Sequence, residues 1–148
     1  MNKLIKLAAV VAMAATVVGA TGQTGARADC MEGAQTQMAM NQCAAQELRA
    51  ADAELNLIYQ KLREVYAGDP AFLEKLKLAQ RAWIAFRDAE LAAKYPATDK
   101  RDYGSIFPMC SSQYVGDLTR KRIADLKVWL DGVQEGDACA GSVRVSGE

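Results

Sequence analysis

Gly68-Asp69-Pro70 cuts the longest helix-like stretch of this sequence from the next. Glycine ends a helix, and Asp at N-cap with Pro at the first helical position restarts one at once. So few linking residues predict two helices folded back antiparallel. Upstream, Thr36 can cap a helix whose apolar face is Ala44, Leu48, Ala51, Leu55, Ile58, Leu62 and Val65, with Tyr59 and Tyr66 alongside. Downstream, a second helix is expected from Pro70 to about Lys94. It ends at Tyr95-Pro96, because the residue before proline is pushed out of the helical region. A third helix carries Val115, Leu118, Ile123, Leu126, Trp129 and Leu130 on one face and stops at Gly132. The expected fold is all-α: a three-helix antiparallel bundle with an irregular loop before the third helix, stapled by disulfides. No internal repeat and no second domain is visible.

The first residues belong to transport, not to the fold. MNKLIK is basic, LAAVVAMAATVVGA is an apolar run, and Ala26-Arg27-Ala28 is an A-x-A cleavage site, so residues 1–28 read as a signal peptide. The run is shorter than the roughly 18 residues of a membrane span. No span is expected in the mature chain, and Cys30 follows Arg-Ala-Asp, which is no lipid-attachment site. A periplasmic or secreted protein is expected. Its domain covers residues 29–132, and the tail 133–148 is tied down through Cys139. A mature chain of about 120 residues supports a single core. The whole chain has 18 basic and 18 acidic residues; losing Lys3, Lys6 and Arg27 leaves a net charge of −3. That argues against a nucleic-acid footprint and is compatible with a basic partner.

Four cysteines remain after export: Cys30, Cys43, Cys110 and Cys139. An even count in an oxidising compartment implies disulfides, with three possible connectivities. Cys30–Cys43 is favoured because its loop is short and local, and Cys110–Cys139 follows by subtraction. The second pair has a geometric difficulty. A straight helix from 110 to 131 rises about 30 Å, which the residues up to Cys139 could barely retrace. Either the third helix begins late, near Gly116-Asp117, or the pairing is wrong; Ser105 is the early alternative for its start.

Residues 79–91, AQRAWIAFRDAEL, place Gln80, Trp83, Ile84, Arg87 and Leu91 on one helical face, extended one turn back by Leu73 and Leu76. An amide and a guanidinium on an otherwise core-like stripe need partners, because an unpaired buried charge costs several kcal/mol. Asp52 is the best-placed carboxylate and Glu90 is another. One reading is a structural polar layer in which Asp52, Asn56, Gln80, Trp83, Arg87, Thr119 and Arg122 meet across the bundle and fix helix register. The other is that the same residues line a recognition groove.

The motifs that carry these residues resemble the lysozyme-inhibitor LprI-like family of small exported bacterial domains. They are MNQC at 40–43, ADAELNLIY at 51–59, AQRAWIAFRD at 79–88, GSIFPM at 104–109 and LTRKR at 118–122, spanning roughly residues 30–130. The resemblance implies an exported helical domain and, by the family's name, a lysozyme-type muramidase as partner. The family often shows Cys after the RD-x-E stretch and again five residues before the Thr of LT-x-x-R. Here those positions are Leu91 and Tyr114. Their joint absence implies that they pair elsewhere, which leaves Cys30–Cys43 as the other pair and makes Cys110–Cys139 a replacement staple.

Catalysis is not expected. The chain has no histidine, which removes His-dependent triads and His metal ligands. Oxidised cysteines remove thiolate chemistry. There is no phosphate-binding loop and no nucleophile elbow. Carboxylate pairs such as Asp88/Glu90 and Asp99/Asp102 are what any helical surface carries. No cofactor and no metal are expected. An inhibitor needs a projecting cation or donor with aromatic anchors beside it, and the 95–107 segment offers Tyr95, Lys100, Arg101, Tyr103 and Phe107. The alternative is a non-catalytic envelope module binding another protein, a cell-wall fragment or a small ligand, which a concave pocket around Gln80, Trp83 and Arg87 would favour. Oligomeric state leaves no mark in the sequence.

Overall fold

The computed structural model describes residues 30–147; the signal-peptide expectation falls outside them. Three long helices dominate: α1 (Gln37–Val65), α2 (Pro70–Lys94) and α3 (Phe107–Asp131). A 3-10 turn, Lys100–Tyr103, lies between α2 and α3, and a helical turn at 30–33 precedes α1. The boundaries have local causes. Thr36 Oγ1 accepts from the Ala39 amide at 3.1 Å, and Asp69 Oδ1 accepts from the Phe72 amide at 2.9 Å. Each satisfies a backbone donor that a helix start would leave open. Gly132 closes α3 at φ +79°. Among the described residues there is no strand, only an isolated parallel bridge between Val133 and Val145.

The core is a cluster of Leu55, Ile58, Leu62, Tyr66, Phe72, Leu76, Ile123 and Leu126. The helices do not share it equally. α1 and α3 are the closest pair, while α2 approaches α3 at few points. Small buried residues, Ala44 and Ala51 on α1 and Gly116 on α3, let those two backbones come close. α2 instead reaches the core with large side chains and stands further off. Only Phe72 and Leu76 of its residues are buried, with Leu73 and Trp83 packed partly against the cluster. Ile84, expected on the inner stripe, is exposed, as are Leu78 and Phe86. The connection at Gly68 therefore reverses the chain without making its two helices the most intimate neighbours.

Cys30 and Cys43 form a disulfide with a Cα–Cα separation of 5.8 Å. Closing so short a loop is worth about 3 kcal/mol on the chain-entropy estimate. The Cys110–Cys139 pairing is overturned: both cysteines are unpaired. The geometric difficulty is the reason. α3 starts at Phe107, so Cys110 sits near its first turn, and the residues after Asp131 stay at its far end. Cys139 is exposed and does not hold the tail. The tail is held by backbone bonds, Val133 N–H to Arg144 O at 2.9 Å and Ser146 N–H to Val133 O at 2.8 Å. The Tyr66 hydroxyl adds a clasp, donating to Trp129 O at 2.9 Å and accepting from the Arg144 amide at 3.0 Å.

Candidate functional site

The polar residues of the helix faces form two separate pairs, not one layer. Arg87 reaches Asp52 Oδ1 at 3.5 Å and Asp88 Oδ1 at 3.1 Å, and its guanidinium lies 5.4 Å from the Trp83 ring centre. Arg122 donates its Nε to Gln80 Oε1 at 3.1 Å. Burial disfavours the charged form of Arg122 and pulls its pKa down, against the nearby Asp125. Two expected members stand apart. Asn56 is exposed, because it falls outside the stripe that turns inward with Leu55 and Ile58. Thr119 is fully buried, yet its hydroxyl has no hydrogen-bond partner; it fills space on the inner face of α3. Glu90 accepts from the Tyr114 hydroxyl at 2.9 Å and pushes that phenol's pKa up. Lys94 caps the Tyr114 ring at 3.9 Å. A polar clasp thus links α2 to α3 at one of the positions where the resemblance led to an expected cysteine.

The 95–107 segment is a self-supporting structure at the end of the molecule where α2 stops and α3 starts. Tyr95, Tyr103 and Phe107 contact one another with ring centres 5.1 to 5.5 Å apart. The Tyr103 hydroxyl accepts from the Ala97 amide at 2.8 Å. Lys100 donates its ammonium to Tyr95 O, at the C-cap of α2, and to Ala97 O in the loop beyond it, satisfying carbonyls that no backbone amide takes up there. Asn41 on α1 ties in Ser105 O at 3.0 Å. Three of the expected contact residues are therefore frame, and Lys100 is a cap. Arg101 differs: its side chain is 91% exposed. Asp99 holds it through Nε and Nη2, at 2.9 and 2.6 Å to Oδ2, and these bonds hold the Asp99 carboxyl below the usual range.

A concavity of about 460 Å³ lies between α2 and α3 at the opposite end, near Phe72, Leu76, Arg122 and Trp129. It borders Ala79 but not Gln80, Trp83 or Arg87. Sequence reasoning missed Lys75 in its rim, along with Tyr114, Lys94 and the Tyr66 hydroxyl. Glu90 and Lys94 do stand four apart, a spacing that marks a shared helix face. Nothing in the sequence marks the clasp made by Tyr66. Among the described residues no group of His, Cys, Asp or Glu could hold a metal ion, and no helix is long and apolar enough to cross a membrane.

The family model described as Lysozyme inhibitor LprI matches residues 28–126. An uncharacterized protein of Rhizobium meliloti (strain 1021) is 39% identical over 117 residues, covering 72% of this chain and 81% of its own length. No solved structure matches.

Proposed function

Because this chain belongs to the lysozyme inhibitor LprI family, we propose that it is an exported protein that binds a lysozyme-type muramidase and occludes its cleft. No substrate is turned over; inhibition is steric. The observation that carries the reading is the Arg101 guanidinium, 91% exposed on a short turn that its own aromatic frame makes rigid. Muramidase clefts present two carboxylates flanking the scissile bond. A cation already held in place loses little freedom on binding them. Asp99 engages Nε and Nη2, which leaves Nη1 to donate outward. Tyr95, Tyr103 and Phe107 support that tip, and Lys100 fastens it to α2. The signal peptide read from residues 1–28 supports a place in the periplasm or outside the cell, where such enzymes act.

A turbidity assay with the purified, oxidised mature chain tests this, run against animal-type and bacterial muramidases. Stoichiometric inhibition is expected. R101E should weaken it about tenfold or more, as the loss of an interface anchor does. K100Q should weaken it less, through loosening of the turn. No inhibition and no binding of either enzyme class at micromolar protein would overturn the proposal. Inhibition unchanged by R101E would remove the 95–107 segment from it.

A further inference from the structure

The cleft between α2 and α3 has the make-up of a small-ligand site. Its volume, about 460 Å³, lies in the range of small-molecule pockets. Trp129 and the edges of Phe72 and Leu76 supply an apolar lining over the buried Leu126, and Lys75 and Arg122 supply two cations. Neither cation takes part in an ion pair among the described residues. Arg122 spends only its Nε on a neutral amide, Gln80. The one carboxylate in the lining, Asp69, is engaged at the start of α2 by the Phe72 amide. An apolar trough bordered by two cations against one lining carboxylate, with Asp125 near Arg122 but not in an ion pair with it, is complementary to an anion with an apolar body.

We propose that this cleft binds a small amphipathic carboxylate, its chain against Phe72, Leu76 and Trp129 and its head group held by Arg122 and Lys75. Ser142 of the tail borders the cleft, so the clasp at Tyr66 that fixes the tail also completes the site. The site is independent of muramidase binding. Arg122 lies 15 residues into α3, about 22 Å of helix rise from Phe107 and the Arg101 turn.

The test is an NMR titration of the oxidised mature chain with octanoate, 1-octanol and octylammonium, following the Trp129 indole N–H. Octanoate should move that signal saturably, octanol at higher concentration, and octylammonium least. R122Q and K75Q should each weaken octanoate binding about tenfold, the scale of one charge-assisted hydrogen bond, and leave octanol unchanged. Lys75 is exposed and makes no bond that the fold needs, so K75Q reads the site even if R122Q fails to fold. Equal binding of octanoate and octanol, octanoate affinity unaltered in K75Q, or no shift of Trp129 would each overturn the proposal. Muramidase inhibition by K75Q should equal that of the wild type, which separates failure here from failure at the Arg101 end.

Discussion

Thr119 is the single buried polar residue of the described core, and its hydroxyl is unpartnered. A buried hydroxyl without a bond keeps its desolvation penalty and gains nothing in return. T119V keeps the branched shape and removes the penalty, so it should raise stability by about 1 kcal/mol in a thermal melt. Gly132 shows the reverse constraint. Its φ is +79°, and a Cβ there would stand 2.8 Å from Arg144 O. G132A should cost more than about 1 kcal/mol, and the Arg144 and Ser146 amides should lose protection in hydrogen exchange as the tail detaches. Arg87 sits between these cases. Its side chain is 19% exposed, but Asp52 is 44% exposed, so water screens the pair. R87A should cost only about 1 kcal/mol, read from denaturant midpoints, far less than a sealed ion pair would.

Helix ends were the most legible elements, because their causes are local. Thr36, Asp69-Pro70, Tyr95-Pro96 and Gly132 each act through their own backbone or a neighbouring amide. Which helices lie closest was not legible from apolar periodicity, since that counts hydrophobic positions and not their size. Ala44, Ala51 and Gly116 held the answer. The tail was misjudged for a related reason: a tyrosine hydroxyl engaging residues 63 and 78 positions away leaves no pattern, whereas a cysteine always suggests a bridge. In the 95–107 segment the residue types were legible but their division of labour was not, because an exposed lysine reads the same whether it caps a helix or meets a partner. The Asp99–Arg101 pair gives this element a pH signature. Arg101 bonds, first from its side chain and then from its backbone, hold the Asp99 carboxyl below the usual range. A lowered folded-state pKa contributes stability above the ordinary carboxylate range and loses it as pH falls through the folded value. The turn should therefore hold its amide shifts from pH 8 to about pH 5 and loosen only below about pH 4, followed at the Ala97 and Arg101 amides by NMR.

At the scale of the whole molecule, α3 separates two regions of different chemistry. One end presents a guanidinium on an aromatic frame, and the other holds an apolar cleft with two cations. α2, with few buried residues, spans both. The two unpaired cysteines mark the same axis, Cys110 near the first turn of α3 and Cys139 in the tail beyond its last. They differ in reactivity, because Cys139 is exposed and Cys110 is half-buried, while the native bridge leaves no third thiol to compete. Two fluorophores can therefore be attached in sequence, without engineered cysteines, one near each end of α3, whose stretch from Cys110 to Asp131 rises about 30 Å. Energy transfer between the dyes then becomes an internal ruler, and quenching of one or the other tells which end a captured molecule has met.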